Sequence, residues 1–409
     1  MNAGSTLAFQ APALGHDAAG RTPVGPGLDR LTPVLNAIAQ AAARHDRDGS
    51  FPFDSIERLH LTGILSLTVP TALGGGGGGL ALAAEAVAKV GEACPATALV
   101  LAMQFIRQAA IARSAAWPLE LRQRIGRDAV TSGALINVLR VEPELGSPTH
   151  GGLPATTARL RVGHWSITGR KRYATGAPGL RWMEVLARTD EDVPRIGNFL
   201  VPADSSGVEV VETWNHLGMR ASGSHDVVFA DVAVPLDHGI GLVPAAEWSR
   251  PDATQSAWST TLVAAVYTGV AHAARRWILG FLHDRVPGSL GAPLATLPRV
   301  QEAVGEIEAL LAANARITEA VAFATDSGHP PTTAESSLHK VTLAENAVRA
   351  VERAVSLAGN HAHDRALPLE RHWRDVQAAR VHVPTADAAH LAAGRLALSH
   401  SQASRNLPA

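Results

Sequence analysis

The spacing of apolar residues divides the chain into three regions. Between residues 25 and 128, apolar side chains recur every three or four positions, as in LTPVLNAIAQAAARH, which predicts an N-terminal domain of amphipathic helices. Between residues 129 and 245, short alternating runs such as HDVVFADVAV are separated by Gly, Pro and Asp, which predicts an antiparallel β-barrel or sandwich. The helical period returns in four long segments between residues 246 and 400, and these predict a C-terminal four-helix bundle.

This order of elements predicts an α+β fold. Strands and helices do not alternate along the chain, so a doubly wound α/β sheet is excluded. Residues 1–24 and 401–409 carry no regular period, and we expect both to be flexible tails. The run Gly74–Gly79 interrupts the first helical region and must be a mobile or closely packed loop. It is either a connector or a backbone segment that passes close to a ligand.

Composition limits the kinds of binding partner that can be expected. Of 409 residues, 46% are hydrophobic and 18% are charged, as in ordinary globular proteins. The formal net charge of -1 gives no reason to expect nucleic acid or an anionic membrane surface. No apolar run approaches the roughly 20 residues that span a bilayer, and no Cys/His spacing suggests a metal site. A single cysteine, Cys94, excludes an internal disulfide and favours a reducing, cytoplasmic compartment.

Five short motifs, taken together, identify a family. They are GILSLTVPTALGGGGGG (63–79), VEPELGSP (141–148), GRKRYATGAP (169–178), WNHLGMRASGSHDVVFADVAVP (214–235) and PLERHWRDVQAAR (368–380). With these motifs in this order, the chain resembles the acyl-CoA dehydrogenase superfamily over nearly its whole length. The resemblance implies an N-terminal helical domain, a central antiparallel β domain and a C-terminal four-helix bundle. It also implies a flavin between the last two, and a homotetramer.

The same resemblance implies a set of flavin and substrate contacts. Thr175 stands at the motif position whose hydroxyl meets the flavin ring, and Val141 opens the loop beside the flavin. Ser147, on that loop, is a candidate substrate contact. Asn137, just before the loop, is a candidate hydrogen-bonding partner of flavin or substrate, or else a turn residue. Arg285 survives from the R-x-x-F motif that holds the adenosine part of FAD, but the phenylalanine does not.

The segment after the R-D motif departs from the dehydrogenases. There the family continues as I-Y-E-G-T, and the glutamate removes a proton from the acyl-CoA. Residue by residue, His382 takes the place of the tyrosine, Val383 that of the glutamate and Pro384 that of the glycine. A valine cannot accept a proton, and the first bundle segment, SAWSTTLVAAVYTG, contains no acid. His382 is therefore the catalytic candidate, with a buried packing histidine as the alternative, and Val383 is expected to line the substrate site.

A second departure concerns the cofactor. The family's Q-x-x-G-G motif reads SLAGN here, with Ser356 for the glutamine and Asn360 for the last glycine, which favours FMN over FAD. In lacking the base and these adenosine contacts, the sequence resembles the monooxygenase branch of the superfamily, which includes sulfone and aromatic hydroxylases. Its members take reduced flavin from a separate reductase and form a C4a-hydroperoxide with O2. Several have a histidine at the His382 position as H-x-P, and often a further histidine where this chain has Gln104, a candidate substrate contact.

The resemblance thus implies a flavin-dependent monooxygenase that acts on a small apolar, aromatic or sulfur-containing substrate. The main alternative is an acyl-CoA dehydrogenase or oxidase whose base has moved. A third reading is a catalytically inactive relative that serves as a flavin-binding or scaffold subunit.

Overall fold

The computed structural model describes residues 28–144, 152–248 and 252–405. The predicted tail at residues 1–24 and the candidate Ser147 lie outside these ranges.

Five α-helices form the part of the N-terminal domain that the structure describes. Helix α1 has a proline in its first turn and ends at Gly49, whose left-handed φ of 65° stops the helix. Helix α4 is apolar and long enough to span a bilayer. However, 83% of its most apolar 18-residue stretch is buried inside the protein, as in a core helix. The bounds are α1 Thr32–Asp48, α2 Phe53–Leu61, α3 Leu80–Ala93, α4 Pro95–Arg113 and α5 Leu119–Ser132.

The central region forms one sheet of eight strands within the described residues. Its order is β6-β7-β3-β2-β4-β5-β8, and β1 pairs with β4 beside this path. The antiparallel prediction is correct except for two pairs, β1 with β4 and β2 with β4, which are parallel. Because β2 and β3 lie between β1 and β4 along the chain, the connection is long enough for β4 to run parallel to β1. The bounds are β1 Leu135–Leu139, β2 Thr157–Arg161, β3 His164–Ala174, β4 Leu180–Thr189, β5 Arg195–Pro202, β6 Val208–Val211, β7 His225–Pro235 and β8 Gly239–Pro244.

Between residues 252 and 405, the C-terminal region contains four long α-helices and two short ones. Helix α8 begins with a capping box, in which the Thr332 and Glu335 side chains each bond the other's backbone N–H. Helix α11 continues to Arg405, so the predicted tail at 401–409 begins inside a helix. The bounds are α6 Ala253–Asp284, α7 Pro298–Asp326, α8 Thr333–Ala358, α9 Pro368–Val376, α10 Ala378–Val381 and α11 Ala386–Arg405.

The glycine run is a closely packed loop. A Cβ on Gly75 would lie 2.3 Å from the Val69 carbonyl oxygen, and one on Gly79 would lie 2.6 Å from an Asp326 carboxylate oxygen. The backbone N–H of Gly77 donates to Val69 O at 2.8 Å. Asp326, at the end of α7, accepts from the backbone N–H of Leu80 at 2.7 Å, so the loop ties the N-terminal domain to the bundle. Only glycine fits at these approaches.

A buried ion pair holds the start of the VEPELGSP motif to the sheet. Lys171 on β3 donates to Glu142 at 2.6 Å, and Thr156 adds backbone and hydroxyl hydrogen bonds to the same carboxylate. Burial alone would raise the pKa of Glu142, but the hydrogen bonds from Lys171 and Thr156 outweigh it and hold that pKa below its usual value. Glu142 of one motif and Lys171 of another therefore neutralise each other's buried charge.

We expect Glu142→Ala to lower the free energy of unfolding by about 3–5 kcal/mol, because it leaves the Lys171 ammonium buried without a counter-charge. Urea denaturation measures the change. The matched control is Glu191→Ala, which breaks an exposed pair with Arg195 and should lower the unfolding free energy by about 0–1 kcal/mol. Similar small losses in both variants would contradict a structural role for the Glu142–Lys171 pair.

Candidate flavin site

His382 contacts a buried tyrosine on the central helix of the bundle. The Tyr267 hydroxyl lies 2.9 Å from His382 Nδ1, and the two ring centroids are 5.6 Å apart. Tyr267 is fully buried and comes from α6, whereas the half-buried His382 directly follows α10. No motif in the sequence points to Tyr267. Its only signal is that it is one of two tyrosines in the chain, set in the apolar stretch LVAAVYTGVA.

Tyr267 and His382 form a dyad with a defined protonation state. Burial, with a smaller effect from the nearby Asp375 carboxylate, raises the pKa of Tyr267 well above its usual value, so the phenol keeps its proton. Burial and then the positive charge of Lys340 lower the pKa of His382 to about 4, so the imidazole is neutral at pH 7. If the phenol donates to Nδ1, the imidazole proton sits on Nε2 and makes that atom a donor.

Lys340 fixes the backbone that carries His382. This buried residue of α8 donates to the carbonyl oxygens of Ala379 at 2.9 Å, Pro384 at 3.1 Å and His382 itself. Three acceptors match the three protons of an ammonium group. Burial lowers the pKa of Lys340 to about 8, so the group is still mostly charged near neutral pH. Lys340 was also missed, although the chain has only three lysines and buries two of them.

The R-D motif joins the bundle to the other two domains. Arg374 on α9 forms hydrogen bonds with Asp46 of α1 and Glu370 of its own helix. Asp375 is buried and accepts from the backbone N–H of Met219, in the loop before β7, at 2.6 Å. Burial raises the pKa of Asp375 to about 6. The motif therefore anchors the segment that leads to His382.

A chain of hydroxyl groups continues from this joint into the β domain. The Ser222 backbone N–H donates to Met219 O at 3.0 Å, and the Ser222 hydroxyl lies 2.7 Å from that of Ser224. Ser224 in turn lies 3.0 Å from the Thr175 hydroxyl. Asn137 donates to the Thr175 carbonyl oxygen at 3.0 Å. Hydrogen bonds thus connect the predicted flavin contacts Thr175 and Asn137 to the Asp375 anchor.

Two other candidates on this side have backbone roles. Val141 is half-buried, and its carbonyl oxygen accepts from the Arg172 N–H at 2.9 Å. Gln104 on α4 is buried, donates to Ala134 O at 3.1 Å and accepts from the Ile136 N–H at 2.8 Å. These bonds join α4 to the start of β1. They give Gln104 a structural role, and its contact with substrate stays a prediction.

The candidates for the adenosine part of a flavin are exposed at the surface. Arg285 is exposed just after α6, and Ser356 and Asn360 are exposed at and beyond the end of α8. Val383, next to His382, is 48% exposed, so its place at a substrate site stays a prediction.

The residues present fit a flavin ring. Hydroxyl and amide groups lie on the β-domain side, at Thr175 and Asn137, and a neutral imidazole lies on the bundle side, at His382. Thr175 is half-buried, so part of the residue stays accessible to a ligand. When bound there, a flavin would supply two-electron redox chemistry.

A helical domain, a central sheet and a helical bundle, with these groups at their junction, define the class of α–β–α flavin-dependent oxidoreductases. Family models confirm it. The acyl-CoA dehydrogenase N-terminal domain matches residues 34–115, the middle domain 140–232 and the C-terminal domain 261–387. The chain belongs to the acyl-CoA dehydrogenase family, as its motifs predicted.

Individual relatives differ in the reaction that their names state. The putative acyl-CoA dehydrogenase YdbM of Bacillus subtilis is 31% identical over 366 residues, 88% of this chain and 93% of YdbM. L-evernosamine nitrososynthase of Micromonospora sp. is also 31% identical, over 88% of this chain and 86% of that enzyme. The X-ray structure of KijD3 with FMN and dTDP-3-amino-2,3,6-trideoxy-4-keto-3-methyl-D-glucose is 30% identical with a TM-score of 0.79, and the match covers 91% of this chain and 93% of KijD3. The names of these relatives therefore do not agree on one reaction.

Lys340→Met should raise the pKa of His382 from about 4 toward the ordinary value of 6.5, because it removes a positive charge from beside the imidazole. Histidine-labelled NMR over a pH titration measures this, with the His382 signal assigned by its loss in His382→Gln. Lys340→Arg, which keeps the charge, and Lys89→Met, which removes an exposed lysine on α3, are the controls. An unchanged His382 titration in Lys340→Met would contradict the coupling.

Proposed function

We propose that this protein is a flavin-dependent monooxygenase. It takes reduced flavin, FMN in preference to FAD, from a separate reductase and acts on a small apolar, aromatic or sulfur-containing part of its substrate. The two electrons come from the reduced flavin. One oxygen atom of O2 enters the substrate and the other leaves as water.

One observation carries this proposal: the position of the dehydrogenase base holds Val383, and the titratable group beside it is a neutral histidine held by a tyrosine. Without a carboxylate at this position, proton abstraction from an acyl-CoA has no agent there. A neutral imidazole instead suits the handling of a single proton during oxygen chemistry.

Each residue of the dyad has a separate task in this proposal. His382 would offer its Nε2 proton toward the reacting oxygen and take one back later in the cycle. Tyr267 would hold the ring orientation and the tautomer through Nδ1. Lys340 would keep the imidazole neutral and its backbone fixed.

The relatives support the proposal in part. The name nitrososynthase describes oxidation of an amino group, and KijD3 binds FMN in the structure cited above. YdbM, at the same identity, is named a putative acyl-CoA dehydrogenase and keeps the alternative open.

His382→Ala should lower product formation by about 10² to 10⁴-fold, the usual contribution of a positioned proton-transfer group. Peroxide release should rise, and flavin affinity should change little. Single-turnover mixing of photoreduced, flavin-loaded protein with O2, followed by product and peroxide assays, measures both. The control is His363→Ala, at an exposed position after α8. Undiminished product and unchanged peroxide in His382→Ala would make this histidine a packing residue.

The dehydrogenase alternative has its own test. Anaerobic mixing of the oxidised, flavin-loaded protein with butyryl-CoA should leave the flavin absorbance unchanged, because Val383 cannot remove the α-proton. The positive control is Val383→Glu, in which a carboxylate returns to that position and slow bleaching is expected. Rapid bleaching of the wild-type flavin would favour a relocated base over the monooxygenase.

A further inference from the structure

Asn314 is a buried amide at the point where three helices of the bundle meet. It belongs to α7 and is 0% exposed. Its side-chain nitrogen lies 3.1 Å from the Thr268 hydroxyl oxygen of α6 and 2.9 Å from the Leu343 carbonyl oxygen of α8. Its side-chain oxygen lies 3.0 Å from the amide nitrogen of Asn346, also on α8. One side chain therefore links α6, α7 and α8.

The chemistry of these contacts requires an amide. A carbonyl oxygen can only accept, so the bond to Leu343 O fixes the orientation of the Asn314 amide, with its nitrogen toward α8. The second N–H then donates to Thr268, and the oxygen accepts from Asn346. A leucine would supply none of these bonds, and an aspartate would lack both donors. Asn314 thus holds the three helices through directional bonds.

The apolar packing of α6 against α8 is less directional. The two helices pack on each other, and small side chains make up much of their buried surfaces. Apolar contact depends on buried area and has no preferred direction, so such surfaces resist separation more than they resist sliding. A hydrogen bond has a preferred length and angle, and it therefore fixes the axial position as well. The buried alanines include Ala264, Ala265 and Ala271 of α6 and Ala344, Ala347, Ala350 and Ala354 of α8.

The Asn314 bonds lie at the level of the residues that hold His382. Thr268 follows Tyr267 directly on α6, and Leu343 comes three residues after Lys340 on α8. At 1.5 Å per residue, these steps are about 1.5 Å and about 4.5 Å along the helix axes. Tyr267 contacts the His382 ring, whereas Lys340 holds its backbone. A slide of α6 along α8 would therefore move the partner of the ring away from the partner of the backbone.

We propose that Asn314 is a positioning residue, which holds α6 and α8 in the register that keeps the Tyr267 hydroxyl within hydrogen-bond distance of His382 Nδ1. That distance is 2.9 Å, and a slide of about half an ångström is enough to weaken such a bond. Asn314 acts only through Tyr267 and not on the reacting atoms. The proposal rests on the proposed function only for its effect on the reaction, because the positioning itself concerns the dyad alone.

Histidine-labelled NMR of the flavin-loaded protein tests the positioning through the tautomer of His382, whose signals are assigned by their loss in His382→Gln. The bond from Tyr267 should keep the proton on Nε2 in the wild type, and Tyr267→Phe gives the spectrum without that bond. Asn314→Leu and Thr268→Val each remove the link between α6 and α7 with little change in side-chain volume. Both should shift the His382 nitrogen signals toward those of Tyr267→Phe, and Thr268→Val still decides the matter if Asn314→Leu does not fold.

The same two variants should lower product formation in a single turnover by about 10- to 100-fold, as expected for a slightly misplaced catalytic group. Peroxide release should rise, and flavin affinity should stay the same. The matched control is Thr325→Val, also on α7, where the buried hydroxyl donates to Val321 O of its own helix at 2.7 Å. This control loses a buried hydrogen bond but should keep the wild-type His382 signals and product yield.

Two results would overturn the proposal. Wild-type His382 signals in both Asn314→Leu and Thr268→Val would make the amide a stabilising group alone. An equal shift in Thr325→Val would reflect a general loosening of the bundle. A shifted tautomer with undiminished product would instead support the positioning and count against the proposed role of His382 in oxygen chemistry, so the two failures are distinguishable.

Discussion

Helix α6 is enclosed by protein on nearly all sides, and that enclosure determines where polar groups can lie. It packs against α3 and α4 of the N-terminal domain and against α7, α8 and α9 of the bundle. A polar side chain on such a helix needs a partner from a neighbouring element. Thr268 finds it in Asn314 of α7, and Tyr267 finds it in His382. The dyad is thus a consequence of burying α6, because a tyrosine there must bond to whichever segment covers it.

Three buried or half-buried cations have acceptors that match the shape of each charged group. Buried Lys171 meets one carboxylate, and buried Lys340 meets three carbonyl oxygens, as suits a compact ammonium group. Arg374 meets two carboxylates in forked geometry. All three are matched inside the fold.

The sequence predicts most features that depend on residues close together along the chain. The order of the domains follows from the change of apolar period. Thr175 and His382 are predicted as site residues from motifs whose spacing is short. Tyr267 lies 115 positions from His382, and Lys340 lies 42 positions before it, so no local pattern reveals either contact. The parallel pairing of β1 with β4 was missed for the same reason, because alternation along a strand does not give the direction of its neighbour. Gln104 stands where relatives often have a histidine, but sequence could not show that both ends of its amide bond the backbone.

The glycine run has a consequence for chain length. Six identical residues look like a spacer that tolerates insertion or deletion. In the fold, however, the N–H groups of Gly76, Gly77 and Gly78 donate to Ser66 O, Val69 O and Leu67 O, and Gly79 meets Asp326. Adding or removing one glycine would displace each donor from its acceptor and pull the start of α3 away from the end of α7. The number of glycines in this low-complexity segment is therefore fixed by the contacts at its two ends. The length of the run is as constrained as the identity of its residues.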